Sequence, residues 1–153
     1  MRILFINLTN SSFVRNDQKI LAENHKLTTF LFRYKKGFKL IPELIREKLF
    51  VLRHIFSNDA IYIWFADFHA VIPAIIGRLF GKKVIIVIGG FDAAYIKEYN
   101  YGVKARLIGR ISVKLSTQLA THLLAVTEFS KQELLNNINP KLASKTTIIH
   151  NCV

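Results

Sequence analysis

Two glycines and an aspartate follow an apolar segment that predicts a buried β-strand. Gly89 and Gly90 come directly after residues 84–88, and Asp92 stands two positions further on. Glycines at the carboxyl end of a strand let the backbone turn sharply and approach a ligand closely. The Asp92 carboxylate could accept hydrogen bonds from sugar hydroxyls, and His69 is a second polar candidate for the same crevice. A simple tight turn and a structural histidine are the alternative interpretations.

The elements that must position these residues alternate between short apolar segments and longer helical patterns. The apolar segments predict strands at residues 2–8, 26–32, 60–65, 84–88, 122–126 and 146–150. The helical patterns predict helices at residues 13–23, 40–56, 70–80, 103–119 and 128–136. This alternation favours parallel strands with helices on both faces of the sheet. We therefore predict one α/β domain over residues 1–153, a doubly wound, Rossmann-like, mainly parallel sheet.

Ligands of such sheets bind beyond the carboxyl ends of the strands, near the point where the strand order reverses. The predicted cleft therefore consists of loop residues that follow the first, fourth and fifth strands. These residues are Asn10, Ser11, Gly89, Gly90, Asp92, Thr127 and Glu128. His69 and Asp92 are the catalytic candidates among the polar residues near this cleft.

Composition and motifs exclude several classes of protein. The chain has 153 residues, of which 51% are hydrophobic, and this suits one folded domain. The first predicted loop lacks a glycine-rich dinucleotide fingerprint, no phosphate-binding loop is present, and the five histidines lack metal-ligand spacing. We therefore expect neither a cofactor nor a metal. The single cysteine, Cys152, excludes an internal disulfide.

The chain also shows no targeting signal, and its apolar segments are far shorter than the ~20 residues that cross a bilayer. A cytoplasmic location is therefore expected. The formal net charge is +12, which predicts an anionic partner such as a phosphate, a nucleic acid or an acidic membrane surface. A nucleic-acid partner is not expected, because no recognition module accompanies the basic residues.

One basic surface is predicted on the helix at residues 40–56. Its apolar stripe, expected to face the core, comprises Ile41, Leu44, Ile45, Leu49, Leu52 and Phe56. The opposite face then carries Lys39, Arg46 and Arg53. Phe50 stands among these cations, and an aromatic residue in that setting suits an anionic lipid interface. A solvated basic face with one stray aromatic residue is the alternative.

A second basic ridge follows at Arg106, Arg110 and Lys114, with a spacing of four residues. Like charges at this spacing destabilise a helix, and no acidic residue between Tyr99 and Glu128 offsets them. An anionic surface could compensate for this repulsion. Together the two basic surfaces predict a peripheral position on the inner face of a membrane.

Several segments, taken in order, resemble the amino-terminal domain of family 4 glycosyltransferases, which have the GT-B fold. The matching segments are residues 1–6, 59–63, 81–85, 89–92, 125–131 and 148–153. Three positions depart from the family. Gly89 or Gly90 stands where the family often has a histidine, the first loop has no glycine, and Cys152 replaces a glycine of the interdomain linker.

The resemblance implies the acceptor-binding half of a retaining, metal-independent glycosyltransferase. Such an enzyme transfers a sugar from a nucleotide-sugar to a glycan or a lipid-linked acceptor. In the family, a carboxyl-terminal domain makes most of the nucleotide-sugar contacts, and residues 1–153 do not contain it. We therefore expect the chain to be inactive alone, with a separate donor domain as a possible partner. A non-catalytic subunit that recruits such a partner to the membrane, and a basic nucleic-acid-binding module, are the alternatives.

Overall fold

The computed structural model describes residues 1–95, 97–99, 101–102 and 107–150. The strands are β1 (Arg2–Asn7), β2 (Lys26–Leu31), β3 (Ala60–Trp64), β4 (Lys83–Ile88), β5 (His122–Ala125) and β6 (Thr146–Ile148). The α-helices are α1 (Ser12–Asn24), α2 (Leu40–His54), α3 (Phe68–Leu79), α4 (Leu107–Leu119) and α5 (Glu128–Asn137). Each lies close to its predicted position. Short 3-10 helices at Gly37–Lys39, Ile55–Ser57, Lys97–Tyr99 and Pro140–Lys145 are additional to the prediction.

Two predicted features fall partly beyond this description. The predicted start of the fourth helix, residues 103–106 with Arg106, lies outside the described residues. So do residues 151–153, which include Cys152 and the end of the linker-like segment.

All six strands belong to one sheet of order β2-β1-β3-β4-β5-β6, and every pairing is parallel. The chain runs from β1 outward to β2 and then crosses back to β3 on the other side of β1. The strand order therefore reverses between β1 and β3, and this is where a crevice opens in folds of this type. The predicted Rossmann-like, parallel architecture is confirmed.

Side chains along the strands alternate between two hydrophobic cores on opposite faces of the sheet. On one face, α2, α3, α4 and α5 contribute residues such as Val51, Ala74, Val113 and Leu134. On the other face, α1 contributes Val14 to a smaller core. Because crossovers between parallel strands are right-handed, the direction in which the chain moves along the sheet decides the face on which the connecting helix lies. Only the connection from β1 to β2 moves in the opposite direction, so α1 alone among the five α-helices of the described chain lies on the second face.

The predicted core face of α2 is wrong. Ile41, Ile45 and Leu49 are 51%, 53% and 61% exposed, and Phe56, just beyond the helix, is also exposed. Of the predicted stripe, only Leu44 and Leu52 pack partly against the core. The most apolar side of this helix therefore faces outward.

The helix instead buries Glu43, Glu47 and Val51. The Glu43 carboxylate accepts a hydrogen bond from the backbone N–H of Arg33 at 2.7 Å. It also accepts one from Nε of Arg46 at 3.0 Å. These contacts hold the side of α2 that carries Glu43 against the end of β2. A tertiary interaction therefore overrides the amphipathic pattern of the helix.

Candidate functional site

The loop after β1 lies at the point where the strand order reverses. Asn7, the last residue of β1, is buried and donates from Nδ2 to the carbonyl of Thr9 and to Oδ1 of Asn10, at 2.9 and 3.1 Å. These bonds fix the turn that leads into α1. Ser11 is the N-cap residue of α1, and its Oγ has no hydrogen-bond partner among the described residues.

Phe65 follows β3 directly and has a φ of 72°, which is uncommon for a residue other than glycine. Its ring contacts Phe13 of α1 and Trp64, with centroids 6.3 and 5.5 Å apart. A Cβ atom at Gly89 would lie 2.9 Å from Cδ1 of this ring, with a still closer approach to Cε1. Gly89 therefore allows the loops after β3 and β4 to pack together. The positive φ of Phe65 is a strained backbone conformation, and such strain concentrates at functional sites.

Asp92 ties the same two loops together. It is 1% exposed, and its carboxylate oxygens accept hydrogen bonds from the backbone N–H groups of Gly90 and Ala66, both at 2.9 Å. Burial raises the pKa of Asp92 to about 6, although these backbone bonds act to lower it. Both oxygens are occupied inside the protein, so Asp92 positions the loops rather than facing solvent.

The loop after β4 also lies close to the first turn of α5, which follows β5. Gly90 has a φ of 113°, and a Cβ atom there would lie 3.4 Å from Oγ of Ser130. Thr127 is the N-cap of α5, and its Oγ1 accepts from the backbone N–H of Ser130 at 3.0 Å. Its neighbour Glu128 is exposed. The structure thus brings the predicted loop residues together along one edge of the sheet.

His69 lies beneath this edge. Its Nε2 atom is 2.9 Å from the carbonyl oxygen of Trp64, and its Nδ1 atom has no partner among the described residues. The side chain is completely buried, and this burial lowers its pKa to about 4. The imidazole is therefore neutral at physiological pH and supports the end of β3 from below.

Among the described residues, those that this edge presents to solvent include Asn10, Thr127, Glu128 and the ring of Phe91. A carboxylate and a hydroxyl can hold the hydroxyl groups of a polar ligand, and an aromatic ring can cover its apolar face. Sequence reasoning missed Asn7, Phe65 and Phe91. An asparagine that ends an apolar strand is the one signal that could have found Asn7.

The basic residues predicted for an anionic surface have different surroundings. Arg46 pairs with Glu43, and its guanidinium lies 4.3 Å from the ring centroid of Phe30. Phe50 is half-buried and packs against Phe30 with the ring centroids 4.8 Å apart, so its predicted place on the outward face is wrong. Lys39 and Arg53 are exposed.

Arg110 and Lys114 are also exposed, and they border a cavity of about 340 Å³ together with Asn137 and Ile138. The sequence predicted the ridge but not the cavity beside it. Within the described part of the chain, no helix has the length and apolar character needed to cross a membrane.

Neither a protein-family model nor a curated protein sequence matches the chain. Its fold is similar to that of UDP-N-acetylglucosamine 2-epimerase from Rickettsia bellii, with a TM-score of 0.68 and 12% identity over 99% of this chain and 45% of that one. The S. aureus MnaA–UDP structure has a TM-score of 0.67 and 12% identity, over 98% and 44% of the two chains.

The Methanocaldococcus jannaschii UDP-GlcNAc 2-epimerase in complex with UDP-GlcNAc and UDP is also similar. Its TM-score is 0.66 at 15% identity, and the match covers 99% of this chain and 47% of that one. This chain therefore spans less than half the length of each of these three structures. The likeness shows the fold alone.

Proposed function

We propose that this chain is the acceptor-binding half of a retaining, metal-independent glycosyltransferase. The enzyme would transfer a sugar from a nucleotide-sugar to a glycan or lipid-linked acceptor. The observation that carries the proposal is the continuous edge formed by the loops after β1, β3, β4 and β5. Asp92 and the Phe65–Gly89 contact join the loops after β3 and β4, beside the point where the strand order reverses.

In this proposal the exposed groups of the edge hold the acceptor. The Glu128 carboxylate accepts a hydrogen bond from an acceptor hydroxyl, while Asn10, Ser11, Thr127 and the Gly89–Gly90 backbone shape the floor around it. His69 and Asp92 are positioning residues, since both are buried. A second domain facing this edge would supply most of the donor contacts. A lipid-linked acceptor would bring the protein to the inner face of a membrane.

An amide-resolved titration of the isotope-labelled chain tests the proposal. UDP, UDP-GlcNAc and a panel of oligosaccharides, free and linked to prenyl phosphate, are added separately. We expect an oligosaccharide to shift the resonances of Gly90, Thr127 and Glu128, with little response to UDP. Glu128→Gln should weaken that binding about tenfold, because the neutral amide oxygen is a weaker hydrogen-bond acceptor than the carboxylate. Glu23→Gln, at an exposed position near the other end of α1, is the matched control.

A second candidate is one half of a nucleotide-sugar epimerase, which the fold of the epimerase structures favours. Such a protein needs no acceptor. Saturable UDP-GlcNAc binding at the edge, with no response to any oligosaccharide, would support this candidate and contradict acceptor binding. If neither class of ligand shifts any resonance, both candidate functions are contradicted.

A further inference from the structure

The outer surfaces of α2, α3 and α4 carry large apolar side chains that nothing in the described chain covers. α3 contacts both of the other helices. Ile45 and Leu49 on α2, Leu79 on α3, and Ile108 and Ile111 on α4 are each more than half exposed. Large exposed apolar surface is uncommon on soluble monomers and marks contact with a protein or a membrane.

The exposed charged side chains on the same three helices are all basic. The only carboxylates in α2, α3 and α4 are those of Glu43 and Glu47, and both are buried. The exposed basic residues on these helices include Arg53, Arg78 and Arg110. A second copy of this chain would place cations against cations, which disfavours a symmetric dimer through this surface. An anionic surface is the complementary partner.

A cavity beside α4 adds a place for a single anionic group. Arg110 and Lys114 line it from α4, and Asn137 lines it from α5. Its volume is about 340 Å³, which is ample for a phosphate group. Among the described residues, no carboxylate forms an ion pair with either cation. The repulsion between two cations one helical turn apart would be offset by a bound phosphate.

We propose that the outer surface of α2, α3 and α4 docks on an anionic lipid bilayer. The exposed apolar side chains, represented by Ile45 and Leu49, enter the boundary between head groups and acyl chains. The cavity lined by Arg110 and Lys114 receives a lipid phosphate. Phe50 takes no part, because it packs inward. The inference rests on the proposed membrane partner and is independent of sugar transfer.

Co-sedimentation of the chain with vesicles tests the docking. One set of vesicles contains phosphatidylcholine alone, and the other contains equal parts of phosphatidylcholine and phosphatidylglycerol. We expect binding to the anionic vesicles and little binding to the neutral ones. Binding should fall as added salt shortens the screening length from about 10 Å at 0.1 M towards about 3 Å at 1 M.

Matched variants locate the apolar part of the surface. Ile45→Gln with Leu49→Gln should weaken binding to anionic vesicles at least tenfold, roughly the effect of losing two inserted side chains. The salt dependence should stay unchanged. Ile20→Gln is the control, because Ile20 on α1 is 54% exposed on the opposite face of the sheet. It should bind like the unmodified chain.

Matched charge variants locate the phosphate contact. Arg110→Gln with Lys114→Gln should weaken binding about thirtyfold and flatten the salt dependence. Each basic residue near an anionic surface raises the binding constant about fivefold. Arg15→Gln with Lys19→Gln removes the same charge from exposed positions on α1. That control should lose far less binding.

Several outcomes would overturn the proposal. Equal binding to both kinds of vesicle would do so, as would equal losses in the α1 and α4 charge variants. A dimer in solution that Ile45→Gln with Leu49→Gln dissociates would show that a second copy covers the surface. Oligosaccharide titrations of the same variants should be unchanged, so a failure of docking is distinguishable from a failure of the proposed function.

Discussion

Gly89 lies against the ring of Phe65, with no room between them for even a methyl group. The contact joins the loop after β3 to the loop after β4 beside the point where the strand order reverses. Phe13 and Trp64 flank the ring and limit its movement. A side chain at residue 89 would therefore force the ring or the backbone after β4 to shift.

Gly89→Ala should destabilise the chain by about 1–3 kcal/mol, the usual effect of forcing an extra methyl group into a packed site. Chemical denaturation measures this effect. Phe65→Ala in the same chain should relieve most of the added cost, because it removes the ring that the methyl group meets. Strictly additive effects of the two substitutions would show that the two residues are not coupled.

Replacing the two buried glutamates of α2 should have opposite effects on stability at neutral pH. Glu43→Gln should destabilise the chain by about 1–2 kcal/mol, because the carboxylate accepts from Arg33 and Arg46. Glu47→Leu should stabilise it by about 1–3 kcal/mol, since both Glu47 oxygens are buried and have no partner among the described residues. Denaturation in urea at pH 7 compares them, and the same sign for both would contradict the difference in their surroundings.

Glu47 should also make the stability of the chain fall as pH rises from about 5 to about 9. Burial raises its pKa from the usual 4.5 to about 9. Its folded form therefore keeps a proton that the unfolded chain releases, and stability falls as pH rises between these values. Glu47→Gln should flatten the fall in unfolding free energy between about pH 5 and pH 9. A slope as steep as that of the unmodified chain would show that Glu47 is ionised in the fold.

In mildly acidic solution, His69 and Asp92 should change the free energy of unfolding in opposite directions as pH rises. Burial lowers the pKa of His69 from 6.5 to about 4, so its contribution to stability rises with pH across that interval. Burial raises the pKa of Asp92 from 3.8 to about 6, so its contribution falls with pH. Relative to the unmodified chain, His69→Gln should lose stability with rising pH, and Asp92→Asn should gain it. Parallel curves for the two variants would contradict this assignment.

Asp17 should anchor α1 to the sheet. Its Oδ2 atom accepts hydrogen bonds from Tyr62 Oη and Trp64 Nε1, both at 2.7 Å. Asp17→Ala leaves two buried donors unpaired and should cost about 2–4 kcal/mol. Trp64 is the only tryptophan, so its fluorescence reports the change directly. Tyr62→Phe removes one of these donors and should cost less, and an unchanged emission spectrum in Asp17→Ala would argue against the anchor.

The sequence alone determined the order of strands and helices and the sheet class. Its apolar segments are short, rich in β-branched residues and separated by helical patterns, and parallel packing is the arrangement that buries such segments. It also located the polar loop residues, because ligand sites of these sheets lie beyond the carboxyl ends of the strands. Gly89, Gly90, Asp92 and Thr127 meet along one edge for this reason.

Only the tertiary structure decided which face of α2 is buried and which side chains of the site reach solvent. Periodicity identifies the apolar side of a helix, but it carries no information about what that side meets. Here the Glu43 contact with Arg33 turns the opposite side inward and leaves Ile45 and Leu49 outside. The burial of His69 and Asp92 also depends on tertiary contacts. His69 lies against the backbone carbonyl of Trp64, and Asp92 accepts a hydrogen bond from the backbone N–H of Ala66. Sequence composition does not reveal such contacts with backbone groups.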